Sequence, residues 1–168
     1  MDSNYLIETK RCILQPLSKN DINEAVALFI NHGVRKHLGG VIQIDAAIEK
    51  LNKWITAGDS LYLSVRLKNS GEFAGIIDIS TYHESMNKEL SYQFLPSMWG
   101  MGYAYEAIHS VIEYCSNVLD IKYLVSETQT ENIRSCRLLQ KLRFRLKDKI
   151  RRFGTEQSIY VLNLNEMR

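Results

Sequence analysis

The stretch LPSMWGMGYAYEAI, residues 95–108, constrains this chain more than any other. A β-rich run, KELSYQFL, leads into Pro96, which lacks an N–H and can end a strand. Gly100 and Gly102 follow, separated by Met101, and then Ala104, Ala107, Ile108, Val111, Ile112 and Cys115 recur at helical spacing. The chain must pass from a strand, through backbone almost free of side chains, into the mouth of a helix. A helix N-terminus leaves four N–H groups without intrahelical partners, and its aligned peptide dipoles favour negative charge. Gly100 and Gly102, with the small Ala104, let an anion reach those donors with no Cβ in the way. The same residues also suit a tight turn whose glycines only supply positive φ, and the fragment alone leaves both readings open.

Three anionic ligands bind at junctions of this kind. A Walker-type phosphate loop ends in Gly-Lys-Ser/Thr, which is absent. A dinucleotide fingerprint needs a third Gly or Ala where Tyr105 stands, and an acid closing the next strand, whereas Asp120 precedes that strand. The antiparallel hairpins upstream also disagree with a doubly wound parallel sheet. The third candidate is the diphosphate of coenzyme A, which backbone donors can hold without a lysine.

The rest of the chain reads as β-α-α-β-β-β-α-β-α-β-β, an α+β order with a mixed sheet. Residues 9–17 form a first strand ending at Pro16. Ser18 is the cap of a helix that ends near Gly33, with Asp21 as its capping-box partner, and a second helix runs from Asp45 to Gly58. LYLSVRLKNSGEFAGIIDIS is a hairpin turning at Lys68–Gly71, residues 88–95 and 121–128 are strands, and residues 103–118 and 133–142 are helices. A last hairpin turns at Gly154. The loop HGVRKHLGGVIQI joins the first two helices and has the makeup of a segment that shapes a substrate site.

A length of 168 residues suits one domain, 1–168. A net charge of +2 gives no reason to expect nucleic acid or an anionic membrane as partner, and no apolar run is long enough to span a bilayer. MDSNYLIETKRC lacks the apolar segment of a signal peptide, so the expected location is the cytoplasm. Cys12, Cys115 and Cys136 show no metal or redox spacing and read as reduced thiols, and the four histidines form no metal-binding pair. No metal site is expected.

ELSYQFLPSMWGMGYAYEAI, followed by TENIRSCRLLQKLRFR, resembles the GNAT superfamily of N-acetyltransferases, and within it the RimJ/RimL type that acetylates N-terminal amines of ribosomal proteins. The most specific parts are W-G-x-G-Y-A-x-E-A and E-N-x-x-S-x-R-L-L-x-K-L-x-F, while KRCILQPLSKND and GEFAGIIDI extend the likeness through the chain. The resemblance implies a mostly antiparallel sheet of seven strands flanked by about four helices. It implies acetyl-CoA as cosubstrate, no metal, and leaves a homodimer open.

It also assigns residues. The family's diphosphate loop, Gln/Arg-x-x-Gly-x-Gly/Ala, falls on residues 99–104, with Trp99 where Gln or Arg is usual, as in the RimJ/RimL branch. The phosphates would then rest on backbone N–H groups of Gly100, Met101, Gly102, Tyr103, Ala104 and Tyr105. In the family the strand matching residues 91–95 splays from its neighbour and the pantetheine arm slots in, which makes Phe94 and Leu95 its backbone partners, one N–H polarising the thioester carbonyl. Asn132 would hydrogen-bond the pantetheine, or only cap its helix, and Ser135 would lie near the leaving sulfur. Many members carry an acidic tyrosine four residues after Ser135. Here that position is Leu139, which leaves Ser135, directly or through water, as the acid. Cys136 lacks a histidine nearby in sequence, and direct transfer needs no enzyme nucleophile.

The acceptor is an amine, which attacks only as the free base. Near neutrality an α-amino group, with its pKa of about 7.7–8.0, is already tens of per cent neutral, whereas a lysine amine is about 0.1% neutral. A protein N-terminus therefore needs a weaker base than a polyamine or other small amine. Glu89 is the candidate base, with Tyr82, His83 and Glu84 as an alternative through water, and Glu106 reads as electrostatic or structural support. Lys141, Arg143, Arg145, Lys147, Lys149 and Arg151 occupy alternate positions with Phe144, Leu146 and Ile150 between them, a strand period that puts the bases on one face, solvated or turned to the adenosine phosphate. The competing reading is an acetyl-CoA-binding sensor or interaction module with little catalytic activity.

Overall fold

The β-rich runs pair into one eight-stranded sheet in the computed structural model, which describes residues 6–167. The first five residues of the MDSNYLIETKRC segment, and the final residue of the 1–168 domain assignment, lie outside the described residues. In chain order the elements are β1 (Ile7–Glu8), β2 (Cys12–Pro16), α1 (Ile22–Ile30), α2 (His32–Arg35), α3 (Ile44–Thr56), β3 (Leu61–Leu67), β4 (Phe73–Thr81) and β5 (Lys88–Phe94). They continue with α4 (Tyr103–Asn117), β6 (Tyr123–Gln129), α5 (Ile133–Lys141), β7 (Arg145–Arg152) and β8 (Thr155–Asn163). The strand order is β1-β2-β3-β4-β5-β6-β8-β7. Every neighbouring pair is antiparallel except β5 and β6.

The fold class stands, with one strand and one helix more than the seven and four expected. The extra strand arises at Thr9, whose Oγ1 accepts the Cys12 N–H at 2.8 Å and folds the first run back on itself. The extra helix arises at Asn31, which is extended at φ −85° and ψ 120° and accepts the Val34 N–H on its side chain at 3.0 Å. That cap stops α1 and starts α2, because a short polar side chain competes well for the N–H groups of a new helix. Ser18 and Asp21 do make a cap, with the Ser18 N–H donating to Asp21 Oδ2 at 2.9 Å, but they open a 3-10 turn that precedes α1.

Helices α4 and α5 cover one face of the sheet, where Ile108, Ile112 and Leu139 pack on Leu63, Ile77, Leu90 and Leu124. Helices α1 and α3 cover the other, where Phe29, Leu28 and Leu51 pack on Phe73 and Ile76. The alternating bases behave differently from the expected single face. Lys141 ends α5, Arg143 takes a left-handed turn at φ 68°, and β7 breaks register between Leu146 and Asp148. A bulge moves every later side chain to the opposite face, so β7 is an exposed edge strand charged on both sides.

At the centre of the sheet β4 and β5 come unusually close. A Cβ built on Gly75 would lie 2.3 Å from the Gln93 carbonyl oxygen and 3.0 Å from Phe94 Cα, both backbone atoms of β5. Gly75→Ala would push β5 aside where it approaches Pro96. It is expected to lower stability by about 3 kcal/mol, read as a drop in denaturant midpoint with unchanged slope.

Candidate active site

The parallel pairing of β5 with β6 spans two residue pairs, Lys88 with Leu124 and Glu89 with Val125. Ser126 Oγ then donates to the Leu90 carbonyl at 2.9 Å. Beyond that link no strand pairing joins β5 and β6 among the described residues. The strands form a fork, and its β5 edge carries backbone groups with no neighbouring strand. Register decides which groups these are. The Leu95 N–H donates to the Ala74 carbonyl at 2.9 Å, so by the antiparallel alternation Gln93 and Ser91 also face β4. The N–H groups of Phe94 and Tyr92 point into the fork. The expectation that Leu95 offers its N–H there is thus corrected, because β4 has already taken it.

Past Pro96 the chain reaches the glycine loop. Gly100 and Gly102 sit at φ 76° and 81°, left-handed values that a residue with a Cβ adopts only under strain. The first intrahelical bond of α4 runs from the Glu106 N–H to the Gly102 carbonyl at 3.0 Å. The N–H groups of Tyr103, Ala104 and Tyr105 precede it, and those of Gly100 and Met101 have no backbone acceptor among the described residues. A Cβ on Gly100 would meet nothing within 4 Å, so the loop is open from outside. These donors, their dipole and this access suit a diphosphate.

The side chains around the loop explain how it keeps that shape. Trp99 donates its indole N–H to the Phe94 carbonyl at 2.9 Å, tying the loop to the end of β5. Glu106 turns away from the helix mouth. It accepts from Thr9 Oγ1 at 2.6 Å and the Arg11 N–H at 2.7 Å, and pairs with Arg11 Nε at 2.6 Å. It fixes α4 to the β1–β2 turn and leaves the donors to another anion. Two cations complete the surroundings, Lys141 from the basic run and Arg134, which sequence reasoning did not single out. Arg134 lies 4.4 Å over the Trp99 ring, and Lys141 lies 4.4 Å over the Tyr105 ring. Their spacing of seven along α5 puts both on one helical face, a signal that was legible once α5 was placed beside α4.

Across the fork, Asn132 caps α5, its Oδ1 accepting the Ser135 N–H at 3.2 Å. Ser135 Oγ lies 2.6 Å from the hydroxyl of Tyr92, which reaches over from β5. Tyr92 escaped notice in the sequence because it reads as one more core-facing aromatic on an alternating strand. Cys136 is buried beside it with its thiol toward the Thr130 carbonyl at 3.9 Å.

The opposite face of the fork is acidic. Glu89, Asp78 and Glu127 come from three adjacent strands and project to the α1–α3 side. Burial pushes the Glu89 carboxyl up to about 7, the charges of Asp78 and Glu127 add to the rise, and an N–H from Glu127 offsets it only partly. Burial likewise raises Asp78 to about 7, against weak relief from Ser80 and Lys50. The alternative group of Tyr82, His83 and Glu84 is held in a network instead. Tyr82 donates to Glu127 at 2.9 Å, while Arg152 pairs with Glu84 at 2.8 Å and with Glu127 at 3.1 Å. His37, from the loop between α2 and α3, meets Gln129 at 3.0 Å and roofs the end of β6. Among the described residues no group of three or more His, Cys, Asp or Glu is placed to hold a metal ion, and no helix is long and apolar enough to cross a membrane.

This combination of forked sheet, glycine loop and capped short helix has counterparts. Residues 11–145 match the family model for the acetyltransferase (GNAT) domain, and the chain belongs to that family. It is similar to the uncharacterised N-acetyltransferase YoaA of Bacillus subtilis (strain 168), with 26% identity over 156 residues, 88% of this chain and 87% of that one. It is also similar to the uncharacterised N-acetyltransferase p20 of Bacillus licheniformis, with 24% identity over 166 residues and 93% of each chain. Among solved structures, a GNAT-family acetyltransferase from Bacillus anthracis superposes with a TM-score of 0.85 at 20% identity, covering 96% of this chain and 99% of that one. Spermidine N-acetyltransferase from Vibrio cholerae, in complex with CoA and spermine, gives 0.79 at 15% identity, covering 92% and 96%. These structural likenesses carry the fold, and the family match carries the class: the chain is a GNAT-family N-acetyltransferase, an acyltransferase.

The raised Asp78 makes a stability prediction. A carboxyl whose folded pKa lies near 7, against 3.8 ordinarily, stabilises the fold while protonated and ceases to as pH rises through that window. Asp78→Asn should therefore raise the thermal midpoint by several degrees at about pH 8 and change it little at about pH 4, checked by scanning calorimetry at both.

Proposed function

We propose that this protein transfers the acetyl group of acetyl-CoA to a primary amine by direct attack in a ternary complex, in the manner of the RimJ/RimL type. The observation that carries the reading is the fork: it opens to unpaired donors and the glycine loop on one side, and to a half-buried carboxyl raised to about 7 on the other. Acetyl-CoA supplies an activated acetyl thioester. Phe94 and Tyr92 offer the backbone groups that extend the sheet along the pantetheine arm, with Asn132 closing it from α5. Gly100, Met101, Gly102, Tyr103, Ala104 and Tyr105 hold the diphosphate, while Trp99 keeps the loop in shape.

Glu89 takes the proton of the acceptor. A base with its pKa near 7 is about half deprotonated at neutral pH and strong enough to relieve an ammonium group. Asp78 and Glu127 beside it favour a cationic acceptor, which fits a protein N-terminal α-amine or a small amine alike. Ser135 serves the leaving sulfur on the other side. In this reading the reaction proceeds in the cytoplasm with no metal, on acceptors that diffuse to the Glu89 face.

Two substitutions test the halves of the site separately. Gly102→Asp places a carboxylate at the helix mouth and a Cβ 3.3 Å from Arg11 Nη2 on a left-handed backbone. It should weaken acetyl-CoA binding at least about 100-fold by calorimetry, and retained affinity contradicts the loop assignment. Glu89→Gln should lower kcat by about 10²-fold with acetyl-CoA affinity unchanged. The wild-type rate should rise with pH through about 7, as Glu89 deprotonates, and the variant should lose that limb. Binding of acetyl-CoA with no CoA release across a panel of N-terminal peptides and amines would favour the sensor instead.

A further inference from the structure

We infer that Tyr92 is a positioning residue for the departing thiolate: its phenol donates to Ser135 Oγ, so that the serine O–H is left to point into the fork at the sulfur. This rests on the reading of Ser135 given above and adds a residue from the opposite wall. The geometry is specific. Tyr92 lies on the β5 face with Leu90 and Phe94, packed against the α4–α5 layer, and its hydroxyl crosses to the first turn of α5, 2.6 Å from Ser135 Oγ. Neither hydroxyl has another hydrogen-bond partner among the described residues. Two hydroxyls joined by one hydrogen bond leave one O–H over.

Which hydroxyl keeps the free hydrogen follows from position. Ser135 is anchored by the Asn132 cap of its backbone N–H, and sits where α5 borders the open end of the fork. Tyr92 is flanked by core residues. Donation from the tyrosine to the serine directs the remaining O–H outward and polarises it, since hydrogen bonds in a chain strengthen one another. No net proton leaves the tyrosine. Burial raises Tyr92 above its ordinary range, so a phenolate there is disfavoured relative to a thiolate whose ordinary pKa is about 8.5. As the C–S bond breaks, the electron pair goes to sulfur, the serine O–H stabilises the resulting thiolate by hydrogen bonding, and the thiol proton is later drawn from solvent. Leu139, one turn along α5, is fully buried in the core and offers no hydroxyl of its own. The strand supplies the phenol that the helix lacks.

The test reads the ligand's own thiol. Free CoA and acetyl-CoA are titrated into wild type, Tyr92→Phe, Ser135→Ala and the double variant between about pH 6 and 9, where a thiol ionises. If the pair stabilises a thiolate, the ratio of CoA to acetyl-CoA affinity should climb with pH in wild type, about 10-fold over the range. It should stay flat in both single variants and no flatter in the double. The titratable neighbours of the pair are Cys136 and Tyr160, and burial raises Tyr160 to about 12. A negative charge at Cys136 would repel a thiolate and not a thioester, so it opposes the expected climb and cannot imitate it. With an acceptor that turns over, Tyr92→Phe should lower kcat about 10-fold while KM for acetyl-CoA stays within about two-fold. A ratio that climbs as usual in Tyr92→Phe, or effects of the two substitutions that add, overturns the inference. Flattening in both variants with no turnover on any acceptor supports the pair and overturns the enzymatic reading. Failure of wild type to bind acetyl-CoA overturns both.

Discussion

The site depends on one broken pairing. β5 and β6 run parallel for two residue pairs and then separate, and Ser126 bridging to the Leu90 carbonyl marks where they part. In an unbroken sheet the β5 edge would be satisfied by β6, leaving nothing for a ligand to pair with. Separation leaves N–H and C=O groups in want of partners inside the molecule, a cost the fold sustains because α4 and α5 on one side, and α1 and α3 on the other, hold the two strands in place. Gly75 lets β4 support β5 closely just where β6 no longer does.

That single gap also sorts the chemistry. The pleat sends Leu90, Tyr92 and Phe94 to the face of α4 and α5, and Glu89, Ser91 and Gln93 to the face of α1 and α3. A group bound in the gap therefore meets hydroxyls and backbone donors from one side and carboxyls from the other. Glu89 and Asp78 are crowded and half-buried or buried, so both resist ionisation. Such a wall is unfavourable for folding and well suited to receiving a cationic amine and then its proton, a common relation between local instability and function.

Ion pairs hold the surroundings in register more than they stabilise the whole. Glu106 binds the β1–β2 turn to α4, and Arg152 gathers Glu84 and Glu127 at the hairpin of β7 and β8. Of these three carboxylates, Glu106 and Glu84 were weighed on sequence grounds and Glu127 was not. Their partners are 95 and 25 or more positions distant in the chain, too far for any spacing rule to reveal.

Much of the architecture was legible because it rests on local chemistry. β-rich runs mark β3, β4 and β5, the apolar stripe marks α4, and Pro96 with Gly100 and Gly102 marks the junction, since each of these restrictions acts within a few residues. The misread elements were those where a single side chain redirects the backbone: Thr9 folding the first strand, Asn31 dividing a helix, and a bulge shifting the bases of β7. By itself the sequence determined that a helix mouth opened by glycines follows a strand, and which family builds such a corner. Only the tertiary structure decided that Leu95 is committed to β4, that Glu89 sits among Asp78 and Glu127, and that Tyr92 meets Ser135 across the fork. Those facts depend on register and on burial between distant segments, and neither exists until the sheet has closed around its gap.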